Sequence, residues 1–407
     1  MCATVNPVDE DLGEPRGVSA SARDASPRGR RDAARQGALR THNLALVLEH
    51  VARAEPLSRA EVAERAGLTR ATVSSLVELL LAARILEWAP STTARTVGRP
   101  AAPVRLARGT LAGLGLEVGA NHLAAAVVDL TGARLAQREV RGDFAAPSPA
   151  DTLARLATLA SLTWQQAAAQ HPGLTLLGVE VAVPGIVRDG VVLDAPRLAW
   201  VDVPAEAIVR AALRDARGAD ASDEIPVAVS NEASLAAVAE AHARGGASFL
   251  YLSGGIGVGG AHVVDGRVQG GAHGFATELG HLTVDPAGPR CRCGATGCLE
   301  QYVGAQALAR TPLPEAGWAL GVALAAAVNL LDVETLVLGG TLAPLLPQLR
   351  DPLEAELATR VLAYPWARPT LDAARVHDLP SLQGAALGPV LAVLADPERV
   401  VVGHGTD

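Results

Sequence analysis

His281 is followed, after nine residues, by Cys291-Arg-Cys293-Gly-Ala-Thr-Gly-Cys298. One imidazole and three thiolates make a complete tetrahedral set for Zn²⁺ and leave no position for water. A closed set points to a structural zinc that clamps the fold, not to a reaction centre. Gly294 and Gly297 let a short loop turn sharply enough to aim three sulfurs at one point. The alternative is a disulfide pair with spare thiols. It would form a cross-link with almost no loop to close, and the fourth cysteine, Cys2, sits in a tail-like leader.

A second group of residues suits contact with DNA. From Thr41, the residues Leu44, Leu46, Val47 and Val51 recur at helical spacing. The segment Arg59-Ala-Glu-Val-Ala-Glu-Arg-Ala-Gly-Leu-Thr-Arg-Ala-Thr-Val-Ser-Ser-Leu then reads as helix, turn, helix. Ala63 is small where the helices cross, Gly67 turns the chain, and Thr69 caps the next helix. Val62, Ala66, Leu68, Val73 and Leu76 face inward. That leaves Thr69, Arg70, Ala71, Ser74 and Ser75 outward, small or hydrogen-bonding groups that can enter a major groove. Residues 87–105, rich in Ser, Thr, Gly and Pro, have the length of a β-hairpin wing whose Arg95 and Arg99 would reach phosphates or a minor groove. An ordinary αα-hairpin followed by a linker is the alternative.

The chain has 407 residues, nearly half of them apolar, so it can bury a large core and form two or three domains. Its net charge of -8 excludes a protein coated in positive charge and confines any nucleic-acid contact to a local patch. All its basic residues are arginines. The sparse, clustered cysteines suit a reducing cytosol. With no apolar leader and no stretch of ~20 apolar residues, a cytoplasmic protein without a membrane span is expected. The Ala/Leu/Val run at 320–331 reads as a buried helix.

The elements that must position these groups follow in order. Residues 1–38, rich in Pro, Gly, Ser, Asp and Arg without periodicity, read as a disordered tail. The DNA-binding module takes residues 39–108. From Leu111 the rhythm changes. Residues 114–118 and 123–129 read as strands around a turn, with a hairpin turn at Thr131-Gly132, residues 151–170 as a long helix and 177–183 as a strand. Strands and helices alternate onward, which makes residues 109–400 an α/β domain.

Several motifs resemble one family, the ROK proteins (repressors, open reading frames and sugar kinases). They are Glu278-Leu-Gly-His281 with the cysteine run and Leu299-Glu300, Val183-Pro-Gly-Ile, Ala195-Pro-Arg-Leu-Ala-Trp200, Asn231-Glu-Ala-Ser-Leu-Ala-Ala, the run from Gly254 to Gly260, and Val337-Leu-Gly-Gly340. The resemblance implies a two-lobed, actin-like (ribonuclease H-like) fold with lobes at 109–235 and 236–400. A winged helix-turn-helix ahead of it is the arrangement of the family's transcriptional repressors. The resemblance also implies a sugar pocket: Gly185 as backbone close to the ring, and Asn231, Glu232, Glu278, His281 and Glu300 as partners for hydroxyls. Carboxylates, an amide and an imidazole complement a ring of donor-acceptor hydroxyls.

The chain departs from the kinases of that family in two places. Glu232 stands where they use an aspartate base, one methylene longer, and a ~1 Å misplacement can cost about a hundredfold. Glu117-Val-Gly-Ala-Asn121 stands for their phosphate-holding Asp-x-Gly-Gly-Thr turn. Arg197 replaces an asparagine at the pocket rim, and the segment from Ala307 to Trp318 is shorter than the family's. The expectation is a sugar-responsive regulator of carbohydrate genes that binds a double-stranded operator as a homodimer or homotetramer and does not phosphorylate its sugar. The alternative is an ATP-dependent sugar kinase with an appended DNA-binding domain.

Overall fold

The computed structural model describes residues 27–90, 102–145, 148–217 and 225–401. Residues 1–26, with Cys2, and the wing tip carrying Arg95 and Arg99 lie outside them. Three helices come first: α1 (Pro27–Ala54), α2 (Arg59–Ala66) and α3 (Arg70–Ala82). Strands β1 (Leu86–Trp88) and β2 (Val104–Leu106) then pair antiparallel, Leu86 opposite Leu106. Helix α1 takes in residues 27–38, which composition assigned to a tail. That stretch is rich in Arg and Ala, good helix formers, and it continues a segment whose Leu44, Val47, Leu48 and Val51 are buried.

The turns of this module are chemically specified. Ser58 and Glu61 form a capping box at the start of α2: Glu61 N donates to Ser58 Oγ at 3.2 Å and Ser58 N to Glu61 Oε2 at 2.8 Å. Gly67, at φ +65°, ends α2 in the left-handed region that glycine adopts freely. Thr69 caps α3 by accepting from Thr72 N at 3.1 Å.

The small lobe begins with β3 (Leu111–Val118), β4 (His122–Asp129), β5 (Arg134–Arg141) and α4 (Pro149–Gln170). Then come β6 (Thr175–Val183), β7 (Ile186–Arg188), β8 (Val191–Ala195), β9 (Trp200–Val203), α5 (Ala205–Arg217) and β10 (Val227–Asn231). The main sheet has the order β10-β6-β3-β4-β5, parallel at β10/β6 and β6/β3, antiparallel beyond. Strands β7, β8 and β9 form a separate antiparallel flap.

The large lobe follows with α6 (Glu232–Ala243), β11 (Phe249–Gly254), β12 (Val258–Val264), β13 (Arg267–Val268), α7 (Glu300–Val303) and α8 (Ala305–Leu308). It continues with α9 (Leu313–Leu331), β14 (Thr335–Gly340), α10 (Leu346–Arg360) and β15 (Thr370–Ala373). Its sheet has the order β13-β12-β11-β14-β15. Despite the short link between α8 and α9, the lobe is closed: Ala316, Ala319 and Leu320 are buried in one core with Leu349 and Leu353. Among the described residues, α9 is long and apolar enough to cross a membrane by composition alone. About half of its length is buried, against α10 and α7 and in one core with Leu252 and Leu338 of the sheet, as in a core helix.

Helix α11 (Pro380–Ala395) leaves the large lobe and lies on β3, β6 and β4, ahead of the short α12 (Glu398–Val401). The division between lobes is therefore not contiguous in sequence. The close approach requires glycine: a Cβ at Gly113 would lie 2.1 Å from Ala386 O, and one at Gly384 1.8 Å from Leu235 O on α6. With α4 on one face and α11 on the other, β3 is buried at every position.

Candidate functional site

The four candidate metal ligands converge. The ligand atoms of His281, Cys291, Cys293 and Cys298 all lie within 4.8 Å of one another, and the three cysteines are free thiols, so the disulfide alternative falls. Cys293 Sγ and Cys298 Sγ are 3.7 Å apart, and Cys291 Sγ is 3.8 Å from His281 Nδ1. Sulfurs bound at ~2.3 Å around a tetrahedral ion stand roughly 3.8 Å apart, so the donor set fits zinc. Gln301 Nε2 donates to Cys291 Sγ at 3.6 Å and orients it. Gly297, at φ +68°, lets the loop close, since a Cβ there would lie 1.6 Å from Asp285 O. The set can hold a metal ion.

The loop delivers two further groups to the cleft between the lobes. Glu300, two residues after Cys298, opens α7 and accepts from Val258 N at 3.1 Å. Glu278 precedes the short turn that carries His281. Desolvation pushes the Glu278 carboxyl above its usual range, with nearby His281 opposing and Glu300 adding to the rise. Because Nδ1 of His281 faces the sulfurs, a metal there leaves Nε2 as an N–H donor for a second partner. Gly255 N bonds Gly257 O at 2.7 Å, so the glycine-rich run after β11 is a tight turn. Ala305 N and Thr341 N donate to the carbonyls of Gly255 and Gly254, both at 2.9 Å, which fastens it to α8 and β14.

The opposite wall comes from the small lobe. Asn231 caps α6: its Oδ1 accepts from Ala233 N at 2.8 Å and Ser234 N at 3.1 Å, and its Nδ2 donates to Gly185 O at 2.9 Å. One Nδ2 hydrogen remains for a ligand. Gly185, at φ +127°, packs on β8 so tightly that a Cβ would lie 2.3 Å from Asp194 O. Glu232 sits deep beside Asn231. Its carboxyl is pushed up to about 7, first by burial and then by Glu117, with Arg197 and His122 opposing.

His122 is the residue that sequence reasoning missed. Its Nε2 lies 3.5 Å from Glu117 Oε1, and its Nδ1 is 3.0 Å from Asn121 Oδ1. The pairing with Glu117 raises its pKa against the opposing effect of burial. The ring folds back over the turn, so a Cβ at Gly119 would lie 2.4 Å from it. A lone histidine at a strand start carries no signal of this, and only the hairpin between β3 and β4 brings it to Glu117.

On the DNA-binding module, Thr69, Arg70, Ala71 and Ser75 are exposed and Ser74 is half-buried along α3. Val62, Val73 and Leu76 are buried, and Ala66 and Leu68 half-buried. Thr69 spends its hydroxyl on the cap. Arg59 is tied to Glu78 and covers the Trp88 ring, fixing α2 to α3 and the wing base.

Residues 113–315 match the ROK family and residues 43–95 the MarR family. A xylose repressor of Bacillus spizizenii is 24% identical over 366 residues, covering 82% of this chain and 90% of that protein. Among solved structures, a ROK family transcriptional regulator described as a homolog of the E. coli MLC protein superposes with a TM-score of 0.73 at 25% identity, over 90% of this chain and 100% of the other. A ROK hexokinase from Thermus thermophilus superposes with a TM-score of 0.57 at 29% identity, over 69% of this chain and 99% of its own.

Proposed function

This chain belongs to the ROK family, and we propose that it is a transcriptional repressor whose hold on a double-stranded operator is set by a sugar bound between its lobes. The observation that carries this reading is a winged helix that shares one hydrophobic core with the two-lobed domain of the same chain. The match to a xylose repressor over most of both chains supports it. Asn231, Glu232, Glu278, His281 and Glu300, with the backbone at Gly185, would hold the ring hydroxyls. Thr69, Arg70, Ala71, Ser74 and Ser75 would face the major groove, with Arg95 and Arg99 on the backbone. A homodimer or homotetramer would present two winged helices to a two-fold operator, in the cytoplasm.

His281, Cys291, Cys293 and Cys298 would hold one structural zinc. It fixes the loop that carries Glu278 and Glu300 and takes no part in chemistry. Cys293→Ser should lower bound zinc from about one per chain and weaken sugar binding with it. Full zinc occupancy in that variant would remove the assignment.

The kinase alternative meets an obstacle at the phosphate turn. The His122 ring fills the space above Gly119, and Glu117 is engaged with it. The test pairs two assays. Fluorescence anisotropy with a labelled duplex from the chain's own promoter region should show operator release on adding D-xylose or D-glucose. Coupled ADP release over a panel of hexoses, pentoses and amino sugars should stay at background. Turnover in the ordinary enzyme range of ~1–10³ s⁻¹ would overturn the reading in favour of a kinase.

A further inference from the structure

The turn Ala195-Pro-Arg-Leu198 joins β8 to β9 and places Arg197 at its tip. Leu198 N donates to Ala195 O at 2.9 Å, which closes a β-turn with Pro196 and Arg197 as its central pair. Proline presets the backbone at the first of these positions. Ala195, Leu198 and Trp200 are buried and anchor both ends, so the direction of the Arg197 side chain is set by a rigid support. From there the guanidinium crosses the cleft. Its Nη2 lies 3.6 Å from Oε2 of Glu300, which belongs to the other lobe. It passes over Gly257, where a Cβ would lie 1.7 Å from Nη2 and 2.5 Å from Glu300 Oε2. The crossing therefore depends on residue 257 having no side chain. Among the described residues the guanidinium makes no hydrogen bond and is held by charge.

We infer that Arg197 is a latch: in the ligand-free protein it ties the β8–β9 turn of the small lobe to Glu300 of the large lobe, and an entering sugar displaces it from Glu300. This rests on the sugar-binding reading of the cleft. Glu300 Oε2 already accepts from Val258 N, and the guanidinium stands 3.6 Å from that same oxygen, so a sugar hydroxyl that reaches Oε2 must move Arg197 aside. The two side chains are 25% and 20% exposed, and ion pairs in such partly wet settings shift equilibria by only about 1.5- to fivefold. That is weak enough for a ligand to break and large enough to bias the lobes. A direct role for Arg197 in gripping an anionic ligand is disfavoured by its surroundings. Glu232, Glu278 and Glu300 set three carboxyl groups beside one guanidinium, hydrogen-bonding partners that suit a neutral polyol.

The test compares the full-length wild type with R197Q and R197K. Hydrogen–deuterium exchange of the ligand-free proteins is read at residues 195–200 and 254–258, and D-xylose and D-glucose are titrated by calorimetry. R197Q should exchange faster in both segments and bind sugar about two- to fivefold more tightly, because Glu300 is freed. R197K, which keeps the charge, should restore slow exchange at least in part. Unchanged exchange in R197Q would overturn the latch. Weaker sugar binding by R197Q would overturn it too, and make Arg197 a ligand contact. If neither sugar binds any of the three proteins, the sugar reading falls and takes the displacement with it, whereas faster exchange in R197Q alone would still uphold the tie between lobes.

Discussion

At position 232 a carboxyl is driven far from its chemistry in water. Burial, then Glu117, push the Glu232 carboxyl up to about 7 from an ordinary value of 4.5, so the folded protein holds a proton there that the unfolded chain releases. Stability from this group is therefore greatest below about pH 4.5 and is lost as pH rises toward 7. His122 adds to the same trend higher up. Its pairing with Glu117 raises its pKa, so its contribution is complete below the unfolded value of ~6.5 and is lost as pH rises through the folded one. The melting temperature of the ligand-free protein should fall between pH 5 and pH 8, and Glu232→Gln should flatten the lower half of that slope. An identical slope in the variant would show that Glu232 titrates as it does in water. These residues also mark how much of the site was legible in the sequence. The four residues that could hold a metal were readable because their chemistry is complete within a short span. The proposed sugar-facing set was legible only through the ROK resemblance. Neither the His122–Glu117 pair nor the reach of Arg197 to Glu300 could be read, because each depends on a turn or a cleft that brings together residues with no local pattern.

The elements with chemical punctuation were the readable ones. Ser58 and Gly67 mark the two ends of α2, and Thr69 marks the start of α3. Helix α3 then carries a sharp expectation. Arg70 is exposed on its first turn, where a recognition helix meets base edges, and the Thr69 hydroxyl is committed to the cap. Arg70→Ala should cost about 1–3 kcal/mol of operator affinity and relax sequence preference, whereas Arg99→Ala should weaken all duplexes alike and flatten the salt dependence. Wild-type binding by Arg70→Ala would move the recognition surface off α3. Elements without punctuation were harder to read. Helix α1 starts upstream of its apolar stripe, on propensity alone. Helix α11 is apolar on all sides, because it is packed between α6 and the small-lobe sheet, and Gly384 and Gly388 disguise it as a loop. No periodic stripe announces such a helix, and nothing local says that it crosses back to the small lobe.

At the scale of the whole molecule, α11 joins the two functions. At one end, Gly384 lies against the Leu235 carbonyl on α6, the helix that begins with Asn231 and Glu232. At the other, Val390 and Val393, with Val401 of α12, are part of the hydrophobic core of the winged helix, alongside Leu44, Val47, Val73 and Val77. Polar contacts reinforce that junction: Thr41 Oγ1 donates to Glu398 Oε2 at 2.6 Å, and Arg84 Nη2 donates to Gly173 O at 2.8 Å. The winged helix is thus packed onto the sugar domain and not strung from it, and α11 is a shared support between the start of α6 and the DNA-binding module. If sugar weakens operator binding by some factor, linkage requires operator to weaken sugar binding by the same factor. Gly384→Ala tests whether α11 carries that coupling. The added methyl must push α11 away from α6, and overpacking of this kind costs about 1–3 kcal/mol of stability. Measured both ways, by sugar titration with and without operator and by operator titration with and without sugar, the coupling factor should shrink toward one in Gly384→Ala, while operator affinity without sugar stays near wild type. A coupling factor equal to wild type's in the folded variant would show that the lobes signal to the winged helix by a route other than the α6–α11 contact.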